Sequence, residues 1–221
     1  MKFNDLIANQ HVHEKKHVNS SNFNNAIRED AFDISTEEKI ETISKHFKSI
    51  LHTLGMDLND ESLRDTPSRV AKMYVNEIFG GLLPENFPDI TLFENQYQYN
   101  QVLIEKNITL YSTCEHHLVP IIGKAHVGYI SNGKVIGLSK INRIVQYFGR
   151  RPQVQERLTV QIAECLQRIL DTPHIAVVIE ADHLCVASRG IKDTSSTTIT
   201  SHFIGKFLND NNRNAFMSAI K

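Results

Sequence analysis

Ser112-Thr113-Cys114-Glu115-His116-His117 places a thiol, a carboxylate and two imidazoles in four consecutive positions. Cys114 and His117 have the Cys-x-x-His spacing with which a tight turn presents sulfur and nitrogen donors to one tetrahedral Zn²⁺. A turn supplies only two ligands, so a third has to come from another part of the chain. The stretch therefore predicts a fold in which this turn meets a distant segment at a metal site.

The third ligand is best supplied by Ala181-Asp182-His183-Leu184-Cys185-Val186, which holds a second His/Cys pair in a chain with three cysteines. If this segment is a β-strand, His183 and Cys185 lie two positions apart and face the same side. Cys114, His117 and Cys185 then make a Cys₂His set with an open fourth position. That is the pattern of catalytic rather than structural zinc.

Two histidines, His116 and His183, are left beside the predicted metal as proton carriers. Zinc lowers the pKa of a bound water to near 7, and imidazole titrates in the same range. The set therefore predicts a hydrolytic step on a carbon or phosphorus electrophile. Spacing alone leaves another possibility open, in which either histidine is a fourth ligand and the zinc is structural.

Composition favours a soluble globular protein. The 221 residues are 41% hydrophobic and 22% charged with a formal net charge of −1, which does not indicate a nucleic-acid or membrane-surface partner. No apolar run approaches the roughly 20 residues of a membrane span, and the N-terminus has no apolar signal region. Three cysteines argue against a disulfide framework and predict a reducing, cytoplasmic location. The absence of Gly-x-Gly-x-x-Gly and P-loop motifs argues against a dinucleotide fold or a P-loop NTPase.

The chain divides into three predicted parts: a flexible arm at 1–34, a helical region at 35–88 and a larger domain at 89–221. Within the arm, Met1 to Asn25 is expected to be a disordered tail. The helical region begins with the capping box Ser35-Thr36-Glu37-Glu38, and Gly55 ends the first helix. A second helix is predicted with Thr66 as its cap and Pro67 at its first position.

The larger domain mixes strand-like and helix-like segments. One helix is predicted between Ser139 as its cap and Gly149, a longer one after Pro152, and a short one at the C-terminus. Asn132-Gly133 predicts a β-hairpin, because both central residues of a type I′ turn need positive φ. The predicted strands are residues 90–93, 101–111, 123–130, 135–138, 175–186 and 194–203. This order predicts an α+β fold with a largely antiparallel sheet and helices packed on one face.

Basic side chains cluster at two places near the predicted site. Ser139, Lys140 and Arg143 stand at a helix start, where free N–H groups and the helix dipole bind anions. Arg189 and Lys192 follow the second ligand segment. For any one of these residues a solvated surface is the simpler interpretation, but together they predict a phosphate-bearing substrate.

Several further positions have competing interpretations. Gln155 and Glu156 lie in the first turn of a helix, where a carboxylate can compensate the helix dipole or accept two N–H donors from a guanine edge. Cys165 lies beside an apolar helical stripe and is expected to be a buried small hydrophobe, not a ligand. Arg69 and Lys72 belong, by spacing alone, to a solvated face.

Most of these residues lie in long runs that resemble GTP cyclohydrolase I. The resemblance covers the chain from about Ile34 to the C-terminus, and the runs occur in the family's order. They are residues 66–74 (TPSRVAKMY), 112–117 (STCEHH), 135–143 (VIGLSKINR), 151–158 (RPQVQERL) and 183–190 (HLCVASRG).

The resemblance implies a fold, a reaction and an assembly. The fold is the tunnelling fold, or T-fold, with 89–221 as its catalytic domain, in a homodecamer made of two pentamers. The reaction converts GTP and water to 7,8-dihydroneopterin triphosphate and formate, the first step of folate or tetrahydropterin biosynthesis. The active site lies between subunits, so assembly becomes a condition of activity.

The resemblance also implies a role for each site residue. Zinc is held by Cys114, His117 and Cys185, and water activated there attacks C8 of the purine. His183 protonates the imidazole ring, and His116 is not a ligand but assists later proton transfers. Substrate is bound by Glu156 and Gln155 at the guanine edge, and by Ser139, Lys140, Arg143 and Arg189, with Arg69 and Lys72 of a neighbouring subunit, at the triphosphate and ribose.

Two other functions fit part of the pattern. One is another T-fold enzyme acting on a pterin or deazapurine, such as a nitrile reductase. That chemistry uses a thiol nucleophile and NADPH and needs no zinc, so the Cys₂His set and formate release discriminate against it. A zinc-stapled binding protein would unfold on chelation, because structural zinc contributes folding free energy.

Overall fold

The computed structural model of the chain describes residues 27–28 and 30–221. The tail predicted at Met1 to Asn25 lies outside these residues. Two helices come first, four strands follow, and helices and strands alternate from residue 138 onward. No helix in the described part has both the length and the apolar character that crossing a membrane requires.

The first helix, α1, is Thr36–Thr53 and begins as predicted. Ser35 is its N-cap, and the Ser35 hydroxyl accepts a hydrogen bond from the Glu38 N–H at 3.1 Å. The chain leaves the helix through Gly55, whose φ of +82° is readily adopted only by glycine. No residue of α1 is buried within the described chain, so its apolar stripe remains largely accessible.

The second helix, α2, is Thr66–Lys72 and continues as a π-helical turn, Met73–Ile78. Its N-cap is Asp65, which makes no side-chain capping bond, so the prediction of Thr66 as cap is wrong by one residue. A single turn of π-helix shifts the side chains relative to an α-helical continuation. The buried residues of the second helix and its π-helical turn are Pro67, Ala71 and Val75.

Seven strands lie in the described part of the chain: β1 Leu92–Glu94, β2 Val102–Cys114, β3 Pro120–Ile130, β4 Lys134–Ile136, β5 Pro152–Gln153, β6 Ile175–His183 and β7 Thr198–Phe203. Five of them form the central sheet in the order β5-β2-β3-β6-β7. β2, β3, β6 and β7 are antiparallel neighbours, whereas the short β5 runs parallel to the end of β2. The predicted α+β class with a largely antiparallel sheet is confirmed.

The β-hairpin predicted at Asn132-Gly133 is wrong. The chain turns there, and Gly133 has a φ of +91°, but Asn132 is not in the positive-φ region that a type I′ turn requires. β4 pairs with β1 in a separate two-stranded sheet. β3 already has β2 on one side and β6 on the other, so no edge of β3 is left for β4 to join.

Four helices follow or separate the strands: α3 Leu138–Gly149, α4 Gln155–Leu170, α5 Leu184–Ala187 and α6 Asp210–Ile220. α3 and α4 pack on one face of the central sheet and bury the main core, which includes Leu110, Phe148, Leu158 and Val177. The N-cap of α3 is Gly137, so Ser139 lies in the first turn and is not the predicted cap.

The C-terminal helix α6 covers the opposite face of the sheet at one end. Its Phe216 packs with Ala176, Val178 and Phe207. Ala176 and Val178 of β6 face α6, whereas their neighbours Ile175, Val177 and Ile179 belong to the main core on the other face. The prediction of helices on one face thus describes α3 and α4, and α6 adds a second, smaller core.

Candidate active site

The first two candidate ligands lie where β2 ends. Cys114 is the last residue of β2 and is buried. Its N–H donates to the Val119 carbonyl and its carbonyl accepts from the Leu118 N–H, both at 2.9 Å. These two bonds close a tight turn in which Leu118 has a φ of +52°, and the turn directs the exposed His117 back toward Cys114.

The third candidate ligand reaches the turn through strand pairing. β3 begins directly after the turn and pairs with β6, so that Ile121 lies opposite His183 at the end of β6. The strand predicted to continue through Val186 is wrong, because the chain changes at Leu184 into the one-turn helix α5. Cys185 therefore comes to the site from a helical turn and not from strand alternation with His183.

The structure brings the predicted Cys₂His set together. One ligand atom each from Cys114, His117 and Cys185 lies within 4.8 Å of the others, and no other such group of three or more is found among the described residues. Thiolate and imidazole ligands at this spacing fit a tetrahedral zinc. Burial and the neighbouring Cys114 thiol raise the pKa of Cys185, since two adjacent thiolates repel, and a dication between them would favour both ionised forms.

His116 lies beside this group without joining it. Its Nδ1 is 3.8 Å from the Cys114 sulfur, and the His116 and His117 ring centroids are 6.4 Å apart. Its side chain is 64% exposed. The imidazole is therefore accessible from solvent while adjacent to the metal ligands.

His183 is held by Gln155, which sequence reasoning placed at the substrate. The Gln155 side-chain nitrogen donates to the carbonyls of Ile179 at 3.1 Å and Thr198 at 2.9 Å. Its oxygen therefore faces His183 Nε2 at 2.7 Å, and since that oxygen can only accept, Nε2 is the donor. Gln155 is 1% exposed, so its amide is fully engaged within the chain.

Glu156 and Arg189 are exposed and act electrostatically on the site. Burial lowers the pKa of His183, and the carboxylates of Glu156 and Asp182 oppose that effect. Arg189 counteracts the rise in the pKa of Cys185. Glu156 therefore lies near His183 of its own chain, and Arg189 lies near the candidate ligand Cys185.

The basic cluster of α3 lies at the other end of the sheet. Ser139, Lys140 and Arg143 occupy the first turns of α3, beside Asn142, whose amide donates to the Glu105 carboxylate at 3.3 Å. Glu105 is nine residues before Cys114 along β2, which corresponds to about 30 Å at roughly 3.3 Å per residue. A single chain therefore does not bring this cluster to its own metal ligands.

Arg69 and Lys72 are exposed on α2. The α2 helix packs on α1 and continues into its own π-helical turn. Nothing in the described chain pairs Lys72, and Arg69 lies 3.7 Å from the Asp65 carboxylate on the surface. Both side chains are available to a ligand or another subunit.

Sequence reasoning missed a polar network beside the turn at residues 114–119, which is called the metal turn below. Arg157 of α4 pairs with the Glu115 carboxylate, and Glu115 lies between Cys114 and His116. Both residues belong to the family-like runs, but their pairing over 42 positions leaves no local signal in the sequence.

Comparison with known proteins gives a consistent result. The sequence model of the GTP cyclohydrolase I family matches residues 43–221. GTP cyclohydrolase 1 of Flavobacterium johnsoniae is 61% identical over 202 residues, which are 91% of this chain and 91% of that protein. GTP cyclohydrolase 1 of Aeromonas salmonicida is 53% identical over 174 residues, 79% and 80% of the two chains. GTP cyclohydrolase 1 of Aliivibrio fischeri is 52% identical over 189 residues, 85% and 87% of the two chains.

Among solved structures, the archaeosine synthase QueF-Like in the apo form matches with a TM-score of 0.40 and 16% identity. The match covers 47% of this chain and 93% of that chain. A likeness at this level supports no inference about activity.

Proposed function

Since the chain belongs to the GTP cyclohydrolase I family and has that family's activity, we propose that the reaction takes place at a zinc ion held by Cys114, His117 and Cys185. The reaction converts GTP and water to 7,8-dihydroneopterin triphosphate and formate, at the entry to folate or tetrahydropterin synthesis. One observation supports the metal site above all others, which is the approach of the three ligand atoms to within 4.8 Å. Two sulfurs and one nitrogen suit zinc better than the oxygen-preferring Mg²⁺ or Ca²⁺.

A zinc ion held by these three residues would act as a Lewis acid and would make hydroxide available near neutral pH. The side chains around it then orient the substrate and move protons. Cys114 is buried at the end of β2 and Cys185 is half-buried in α5, so two of the three ligands are shielded from bulk water.

His183 is the proposed proton donor to the imidazole ring of GTP. Its Nε2 is committed to the Gln155 oxygen, so the proton that it exchanges with substrate is carried on Nδ1. Gln155 supports this role by holding the ring in one orientation, and we assign it to the site through His183 and not through a bond of its own to guanine. His116, exposed beside the Cys114 sulfur, is placed to assist later proton transfers.

Glu156 is the proposed guanine anchor. It is exposed in the first turn of α4 and lies near enough to His183 to influence its pKa. A carboxylate accepts two parallel N–H bonds, which matches the donor edge of guanine. Glu156 follows Gln155 in sequence, so the guanine edge and the proposed proton donor are held by the same helix start.

The triphosphate and ribose are proposed to be bound by residues of more than one subunit. Arg189 belongs to the chain that provides the metal ligands, because it lies near Cys185. The start of α3, which carries Ser139, Lys140 and Arg143, lies beside Glu105, and Glu105 is about 30 Å from Cys114 along β2 of the same chain, a distance that no side chain spans. Another subunit therefore has to present its α3 start to this site, and Arg69 and Lys72 are proposed to come from a neighbouring subunit as well.

We assign the assembly to a homodecamer of two pentamers built on the T-fold, with residues 89–221 as catalytic domain, 35–88 as helical region and 1–34 as an arm. A cytoplasmic location suits the site, because a reducing compartment keeps Cys114 and Cys185 as thiols available to the metal.

The deciding experiment combines metal analysis with formate release from GTP, before and after chelation. We expect close to one zinc per chain, formate in equal amount to the pterin product, and loss of formate release on chelation with the fold retained. Zinc without formate would indicate a structural metal. Formate without zinc would keep the reaction and exclude zinc as the native metal.

A further inference from the structure

We propose that Arg157 and Glu115 form a clamp that positions the metal-binding turn, so that Arg157 is a positioning residue of the metal centre. The clamp lies behind the turn, on the side of α4 and β5. This inference rests on the proposed zinc site, since it assigns a role to residues that contact the ligands' own backbone segment.

The Arg157 guanidinium joins three groups. One terminal nitrogen donates to the Glu115 carboxylate and also to the Pro152 carbonyl at 3.1 Å. Its Nε donates to the side-chain oxygen of Gln153 at 3.1 Å. The Arg157 and Glu115 side chains are only 25% and 32% exposed, so the pair is better shielded than a surface ion pair. The planar guanidinium fork suits this multiple contact, which a lysine ammonium could not reproduce from one point.

Gln153, which accepts a hydrogen bond from Arg157, is itself held in place by other hydrogen bonds. Gln153 is completely buried, and its amide nitrogen donates to the Phe148 carbonyl at 3.0 Å and to the Gln161 side-chain oxygen at 2.8 Å. Gln153 pairs with Cys114 in the parallel register of β5 and β2. The clamp therefore connects α3, α4 and β5 to the strand end that carries the first ligand.

The turn receives support from both its backbone and its side chain. The Glu115 N–H donates to the Gln153 carbonyl at 3.0 Å, while the Glu115 carboxylate is held by Arg157. Glu115 directly follows Cys114 in the chain, so these two contacts hold the backbone next to the first candidate ligand. The turn also contains Leu118 at a φ of +52°, an uncommon conformation for a non-glycine residue that needs support from its surroundings.

Removing a residue that orients a metal ligand commonly lowers the affinity for the metal about 10–100-fold. We therefore expect Arg157→Met and Glu115→Ala to release zinc to a competing chelator at least about 10-fold faster than the unmodified protein. The double variant should release zinc no faster than the worse single variant, because each change removes the same contact. Glu115→Gln keeps an acceptor for the guanidinium and should restore most of the retention, while Arg157→Lys should not.

The assay uses the full chain in its assembled form, with two readouts that do not depend on turnover. The first is the rate of zinc transfer to the chelator. The second is the visible absorption of the Co²⁺-substituted protein, whose intensity falls when the tetrahedral geometry is lost. Arg213→Met is the matched control, because Arg213 forms an exposed ion pair with Asp210 on α6, away from the turn.

The clamp would be overturned if both single variants had the same zinc release rates and cobalt spectra as Arg213→Met. It would also be overturned if the effects of the two substitutions on the release rate multiplied in the double variant. If Arg157→Met does not fold, Glu115→Ala alone decides, because its side chain is one-third exposed and its removal leaves Arg157 its two other partners. An unmodified chain that takes up no zinc would overturn the metal site and the clamp together.

Discussion

Cys165 differs from Cys114 and Cys185 in what surrounds the thiol. It is 1% exposed in α4, and burial raises its pKa to about 12. The sequence prediction of a buried small hydrophobe is confirmed. A thiol with this pKa carries almost no thiolate at neutral pH, so it is inert both as a nucleophile and as a ligand.

Cys165→Ala should therefore leave bound zinc unchanged and cost about 1 kcal/mol of stability from the small cavity left in the core. Metal analysis and thermal unfolding measure the two effects. In the unmodified protein, alkylation of Cys165 should require unfolding. A fall in zinc content on this substitution would show that Cys165 takes part in the metal site.

His116→Ala tests the role proposed for the histidine beside the metal. The substitution should retain close to one zinc per chain and lower turnover about 100-fold or more, since positioned proton transfer contributes about 10²–10⁴ in rate. Zinc content and formate release are measured on the same preparation. Loss of zinc in proportion to activity would show that His116 is a ligand.

His126 links the folded state to pH. It is 4% exposed in β3 and its Nδ1 accepts the Asn107 N–H at 3.4 Å. Burial lowers its pKa, Glu180 opposes this, and Lys124 and Lys106 reinforce it. The unfolded chain, with an ordinary histidine pKa near 6.5, then binds the proton first as the pH falls, so this group reduces stability progressively below about pH 6.5.

His126→Asn should therefore weaken the fall in the unfolding midpoint between pH 7.5 and 5.5. Thermal unfolding at the two pH values measures the difference, with His46→Asn at an exposed position of α1 as the control. An equal fall in His126→Asn and in the unmodified protein would contradict the assignment.

At the scale of elements, the pairing of β3 with β6 places His183 beside the metal turn. Gly123 makes this pairing possible, because a Cβ there would lie 2.1 Å from the Glu180 carbonyl oxygen and 2.5 Å from the Ala181 Cβ. Gly123 also pairs with Ala181 and with Leu110, so it lies between two neighbouring strands. The close approach of β6 to β3 therefore depends on the missing side chain.

Gly123→Ala should cost about 2 kcal/mol and lower the unfolding midpoint by roughly 4–8 °C, because two backbones must move apart. It should also reduce turnover, since His183 is two residues beyond Ala181 on the same strand. Gly80→Ala is the control, because its nearest neighbour would be at an ordinary 3.6 Å. Equal midpoints for the two variants would show that the strands accommodate the methyl group.

At the scale of the whole molecule, the separation of the α3 cluster from the candidate metal ligands of the same chain supports the proposal that each active site is completed by another subunit. In the proposed assembly, each chain contributes metal ligands to one site and its α3 cluster to another. Cys114→Ala removes a metal ligand and Lys140→Ala removes a phosphate contact, so each variant alone should be inactive or nearly so. Together in one assembly they can restore sites in which both contributions are intact.

Co-expression of Cys114→Ala and Lys140→Ala chains should therefore recover about a quarter of the unmodified activity, since each of two contributions is intact with a probability of about one half in a mixed symmetric assembly. Formate release from the purified mixed assembly measures the recovery. Mixing the separately assembled proteins without subunit exchange is the control. Activity no higher than that of the single variants would place the whole site within one chain.

The sequence by itself determined the local features and the residues of the candidate metal site. Ser35 as a helix cap, the long α4 helix and the Cys114/His117 pair depend on residues within a few positions of one another, so the sequence alone could predict them. The approach of Cys185 to that pair was also predicted, although its route through a helical turn was not.

Only the tertiary structure decided the long-range relations. It paired β4 with β1 because β3 had no free edge, committed the Gln155 amide to His183 and to two backbone carbonyls, and joined Arg157 to Glu115. It also separated the α3 cluster from the metal ligands of the same chain. These relations depend on competition among all strands and side chains for a limited number of partners. A local pattern of residue types therefore cannot predict which partners pair.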